Sequence, residues 1–105
     1  MKALQILTDS SMQPVEITGS SISEQNESIW ELLGGFFETV RLAPDAIMLV
    51  DEDGLMKRLA SNHAASMLAE THIVGKALIV GLRMEPDGEV FCDCPRRFLE
   101  GKIIC

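Results

Sequence analysis

Apolar and polar positions change their period several times along this chain, and each change marks an element. Lys2–Leu7 alternates Leu4 and Ile6 against Lys2 and Gln5 imperfectly, and reads as a first strand. The polar run Thr8–Gln13 predicts a loop. Gln13–Thr18 (QPVEIT) then alternates Val15 and Ile17 against Glu16, the pattern of a half-buried strand. Pro14 has no N–H for a ladder, so this strand belongs at an edge, or the proline at its start. From Ser20 to Gly34 the period becomes helical. Ile22, Ile29 and Leu33 share one face, with Trp30 and Leu32 beside it. Ser21 and Glu24 have the spacing of a capping box, and Gly34-Gly35 supplies the stop.

Three strands are predicted next, Phe36–Leu42, Ala46–Asp51 and Leu55–Leu59. Ala43-Pro44-Asp45 is turn chemistry, and Asp53-Gly54 is a two-residue hairpin signal. Connections this short make antiparallel neighbours. Ile47-Met48-Leu49-Val50 has no polar interruption, which predicts a central strand covered on both faces. Ser61–Ala69 reads as a short helix with Ser61 or Asn62 as N-cap and a narrow stripe of Ala64, Ala65, Leu68 and Ala69. Glu70-Thr71-His72 ends it, and Gly75 permits a bend into Lys76–Met84, the most apolar strand. Gly81 inside that strand marks a bulge or a close approach. Pro86-Asp87-Gly88 closes a hairpin onto Glu89–Cys92. Pro95–Glu100 predicts a terminal helical turn, with Asp93 as its cap and Pro95 in its first turn. Lys102-Ile103-Ile104-Cys105 is either a docked tail or a frayed end. The sum is an α+β fold in a single domain, 1–105: a mainly antiparallel sheet of about five to seven strands, with two or three short helices on one face.

Composition supports a self-sufficient core. The chain has 105 residues, 47% of them hydrophobic, and a mean hydropathy of +0.17. That is enough apolar material for one domain and too little chain for two. The net charge of −7, with a pI near 4.7, repels phosphate backbones and anionic membranes, so nucleic-acid binding is disfavoured. Lys57-Arg58 and Arg96-Arg97 with Lys102 are too small to line a groove. The acidic residues form no long run of the kind that would imitate DNA. No apolar run is long enough for a bilayer, the N-terminus lacks a secretory pattern, and three cysteines is an odd count. These features lead us to expect a cytoplasmic protein with reduced thiols.

Candidate chemistry is sparse. Cys92-Asp93-Cys94 offers two thiolates that could bind a metal with His63, His72 or Cys105, but a second ligand pair at knuckle spacing is missing. His63 and His72 have the ordinary acid–base potential of histidine, with no nucleophile tied to either by a motif. Gly75-Lys76 fails as a phosphate loop, because Glu70 and Ala77 stand where glycine and serine or threonine are needed. Asp51-Glu52-Asp53-Gly54 fails as a calcium loop, because Leu49 and Ala60 fall at its end positions. Phe36 and Phe37 beside Trp30 read as core. No cofactor is expected.

The layout as a whole resembles a known family. The pieces that carry this are VEIT, LLGGFFETVRL, IMLVDEDGLMKRLASNHAA and IVGKALIVG. In their order and spacing they are similar to a family of small proteins catalogued as a domain of unknown function, numbered 3846. The likeness spans about residues 1–92, with 93–105 as a variable C-terminal segment. Its most specific points are Gly34-Gly35, Asp51 to Gly54, Asn62, Ile73-Val74-Gly75 and Ile79-Val80-Gly81. Members look to carry a proline just before the asparagine segment and a longer insertion after it. Here Ala60-Ser61 and a short link take those places, and CDCPRRF is particular to this chain. The resemblance implies no catalytic residues. It implies a phage, plasmid or gut-bacterial setting.

We therefore expect a binding or interaction module of mobile-element origin rather than a catalyst, engaging a host or phage protein or a small ligand. Asn62, Gly34, Gly35, Gly54 and Gly75 are its interaction or structural residues. The alternative is a metal- or thiol-dependent protein or enzyme using Cys92 and Cys94 with a histidine. Pairing of an open sheet edge would make a homo-oligomer.

Overall fold

The two unbroken apolar runs become the middle of the sheet, since only strands covered on both faces bury every side chain. The computed structural model describes residues 1–100. The elements run β1 (Lys2–Ile6), β2 (Met12–Glu16), α1 (Ile22–Leu33), β3 (Phe37–Ala43), β4 (Ala46–Asp51), α2 (His63–Ala69), β5 (Ala77–Glu85), β6 (Gly88–Cys92) and α3 (Arg96–Leu99). All six strands pair antiparallel, in the order β2-β1-β5-β4-β3, with β6 also on β5. Pro14 does lie in an edge strand, β2.

β5 serves two partners along one edge. Ala77–Ile79 pairs with β1, and Gly81–Glu85 pairs with β6. The handover falls at Gly81. A Cβ there would collide with the Asp93 carbonyl oxygen and lie 2.8 Å from Cys92 Sγ, so Gly81 is the close approach rather than a bulge. Two bonds close the joint: Cys94 N–H donates to the Lys2 carbonyl at 2.9 Å, and Lys2 N–H to Asp93 Oδ1 at 2.8 Å. Asp93 is thereby spent on β1. Pro95 stands at the N-cap of α3 and no side chain caps the helix, contrary to the Asp93 cap predicted from sequence.

The helices lie on both faces, not on one. Ile29 and Leu33 of α1 cover Ala3, Ile47, Leu49, Leu78 and Val80. Ala65 of α2 and Phe98 of α3 cover the alternate residues, among them Leu4, Ile6, Met48, Val50 and Ile79. The reason is in β4 and β5. Each buried aliphatic side chain contributes about 1.5–3 kcal/mol, so an apolar strand left bare on one face would forfeit half of its contribution.

Leu55–Leu59 is not a strand. Both edges of β4 are already taken, by β3 and β5, so no ladder remains for a strand after it. The chain winds into turns instead, with Gly54 N–H donating to the Asp51 carbonyl, Lys57 N–H to Asp53 and Leu59 N–H to Gly54. Gly54 is therefore no hairpin glycine: a Cβ on it would meet Val74 Cγ2 at 2.8 Å. The 102–105 tail, with Lys102 and Cys105, lies outside the described residues.

Candidate functional site

The glycines, acidic turn and asparagine that stand out in the sequence gather at one end of the domain. α1 stops at Gly34, whose φ of 89° lets both it and Gly35 donate to the Trp30 carbonyl. The Gly34 carbonyl then accepts from Lys57 Nζ at 3.1 Å. The same ammonium reaches Asp51 Oδ2 at 2.7 Å, and Asp51 Oδ1 accepts from Asp53 N–H at 2.8 Å. Gly35 makes the room, since a Cβ there would stand 2.7 Å from Nζ. The Asp51 side chain is 2% exposed, so this is a buried carboxylate with both oxygens satisfied.

Asn62 fastens the other side. It is fully buried and caps α2, accepting from Ala65 N–H at 3.1 Å. Its Nδ2 donates to the Ile6 carbonyl at 3.0 Å and the Gly75 carbonyl at 2.8 Å. One amide thus ties β1, α2 and the 73–75 segment together. Gly75, at φ 77°, is packed against Leu59, whose Cδ1 would lie 2.6 Å from an added Cβ. The Ser66 hydroxyl adds two links, accepting from Ile73 N–H at 2.8 Å and donating to the Asn62 carbonyl at 2.7 Å.

What this framework holds up is a surface. Leu55 and Met56, 74% and 85% exposed, sit on the braced 52–58 loop. Beside them a groove of about 250 Å³ is lined by Val50, Ile73 and Val74, with Glu38, Glu52 and His72 also bordering it. Among the described residues Glu38 and Glu52 make no ion pair, and no lysine or arginine lines the groove. Sequence reading missed this surface. Its one signal was an apolar pair flanked by charge on both sides, in DEDGLMKR.

A second, larger groove of about 450 Å³ runs between the start of α1 and the β5–β6 hairpin. Phe37 and Phe91 line it, ring centroids 6.2 Å apart, with the Gln25 and Asn26 amides. Its charges are paired off, Arg83 with Glu85 at 2.9 Å and Glu89 with Arg41 at 2.5 Å. Ile22 borders it and is 71% exposed, so it does not share the buried face of Ile29 and Leu33. Phe36 also departs from the core reading: it is 59% exposed and meets Trp30 edge to face at 4.9 Å.

Of the metal candidates, Cys105 lies outside the described residues. Among the described residues no three His, Cys, Asp or Glu side chains group in a way that could hold an ion. His63 and His72 are exposed, the first opening α2 and the second three residues past its end. Cys94 is buried in the α2–α3 core, and burial pushes its thiol up to about 11. Cys92 is half-buried and its thiol is likewise raised, chiefly by burial. Neither has the lowered pKa of a reactive cysteine.

An antiparallel sheet enclosed by helices on both faces, with side-chain hydrogen bonds joining the elements at one end, defines an α+β domain. No helix among the described residues is long and apolar enough to cross a membrane. The sequence matches the family described as Domain of unknown function (DUF3846) over residues 1–103, and the chain belongs to that family. Neither the curated proteins nor the solved structures gave a match.

Proposed function

We propose that this domain is an interaction module and that the braced end, with Leu55 and Met56 at its tip, is its binding surface for a protein of the host cell or of a mobile element. The observation that carries the reading is the exposure of these two side chains on a loop pinned through Lys57 to Asp51 and Gly34. Leu55 and Met56 adjoin Val50, Ile73 and Val74 in one groove, and contiguous exposed apolar side chains mark contact sites. Burying both yields about 1.5–3 kcal/mol each. After the cost of association that suits a reversible contact, not a permanent one. The test compares immobilised parent with Leu55→Ser/Met56→Ser. The parent retains a protein that the double variant loses, while both unfold at the same denaturant concentration. Identical retained sets would refute the assignment.

A small-ligand reading attaches to the larger groove. Its volume of about 450 Å³ and its Phe37–Phe91 lining favour a planar apolar ligand, oriented by Gln25 and Asn26. A rise in melting temperature with a panel of nucleotides and aromatic metabolites, lost in Phe91→Ala, would support it. No shift with any compound removes it.

A further inference from the structure

The geometry points to a basic, apolar segment of a partner protein as the occupant of the groove beside Leu55 and Met56, with an apolar side chain in the groove and lysine or arginine against Glu38 and Glu52. This rests on the reading of the braced end as the interaction surface, and it names the chemistry of what binds there. Size argues first. About 250 Å³ lies below the roughly 300–1,000 Å³ of small-molecule pockets, and it suits one or two anchoring side chains. Val50, Ile73 and Val74 give those anchors an apolar lining.

Charge argues second. The Asp51 carboxylate is fully engaged by Lys57 and the Asp53 amide, so it has nothing to offer a partner. Glu38 and Glu52 are exposed, without an ion pair among the described residues. The net charge of −7 draws cationic segments toward the domain at large, while unpaired rim carboxylates select where they settle. The larger groove lacks unpaired carboxylates, because Glu85 is paired with Arg83 and Glu89 with Arg41.

The probe is a short labelled peptide of leucine and lysine patterned as an amphipathic helix, with a leucine–glutamate peptide as its counterpart. It is titrated into the 105-residue chain and followed by amide NMR shifts and by anisotropy. Shifts centred on residues 50–56 and 72–74 are expected, with no binding of the acidic peptide. Glu38→Lys/Glu52→Lys should weaken binding about tenfold, and added salt should weaken it in the parent. Shifts spread evenly over the acidic surface, or centred on Phe37 and Phe91, would overturn the proposal. If Leu55→Ser/Met56→Ser abolishes binding and charge reversal leaves it unchanged, the surface stands and its preference for basic segments falls. If neither pair of substitutions matters, both fall. Circular dichroism of each variant confirms that it is folded, since all four positions are exposed.

Discussion

Asn62→Ala tests whether one amide really joins three elements. A lost N-cap alone costs about 1 kcal/mol. Here the side chain is fully buried and makes three bonds, so truncation also strips a donor from the carbonyls of Ile6 and Gly75. Each buried group left short of a partner costs about 1–3 kcal/mol. The expected loss is therefore about 3 kcal/mol or more, a large share of the 5–15 kcal/mol typical of a domain. Asn62→Asp separates the two contributions. Aspartate caps a helix as well as asparagine, so a residue that only caps would tolerate it. In this site the second carboxylate oxygen would face the two carbonyl oxygens that Nδ2 now serves. Asn62→Asp should then lose at least about 2 kcal/mol at neutral pH, and recover part of it at acid pH, where a protonated carboxyl again donates. Urea denaturation followed by Trp30 fluorescence measures both. An Asn62→Asp protein within about 0.5 kcal/mol of the parent at pH 7 would refute the joint and leave only the cap.

Gly34→Ala and Gly75→Ala should differ. Both glycines have positive φ, but Gly34 has open space around it and Gly75 is crowded by Leu59. We expect about 1 kcal/mol for the first and about 2 kcal/mol or more for the second, and equal costs in chemical denaturation would count against the crowding. In a Cys105→Ser background, native Cys94 should react with a thiol reagent about a hundredfold more slowly than an ordinary cysteine, because its thiol is held near 11, and urea should abolish the difference. Fast labelling of Cys94 in the native state would show that the core is not closed there. The Asp45 carboxyl is held below its usual 3.8, first by the hydrogen bonds it accepts from Arg97, whose Nη1 lies 2.9 Å away. A lowered native pKa stabilises the fold above the unfolded value, and that contribution fades as pH falls through the native one. Both side chains are about half exposed, so Asp45→Asn should cost under about 1 kcal/mol at pH 7 and less still near pH 3. A cost that grows on acidification would contradict the pairing.

Sequence pattern located the helices and central strands because their signals are local. Ser21 does cap α1, its Oγ accepting from Glu24 N–H at 3.1 Å, and Gly34 does end it. The unbroken runs of β4 and β5 did mark the sheet centre. What failed depended on partners distant in the chain. Asp53-Gly54 looks like a hairpin until both edges of β4 are seen to be occupied. Asp93 looks like a cap until Lys2 is placed beside it. Asn62 could be read as an N-cap from its neighbours, but its bond to Ile6, 56 residues away, could not. The exposed Leu55–Met56 tip was hidden for the same reason. An apolar pair in a predicted strand reads as core, and only the paths of β3 and β5 leave it outside.

The insertion of β1 between β2 and β5 also orders the events of folding. The β3–β4 and β5–β6 pairs close across tight turns, whereas Ile6 meets Ala77 across about 70 residues. Each doubling of a loop adds about 0.6 kcal/mol to its closure, so this step costs about 2.5 kcal/mol more than closing a hairpin. Until it happens, Ala77–Ile79 presents an unpaired edge that a second chain can take as readily as β1 can. Yield on refolding should fall as protein concentration rises. The Asn62–Ile6 bond forms only once β1 arrives, so that share of the Asn62→Ala cost should appear as faster unfolding, while the local bonds to Ala65 and Gly75 need not wait for β1.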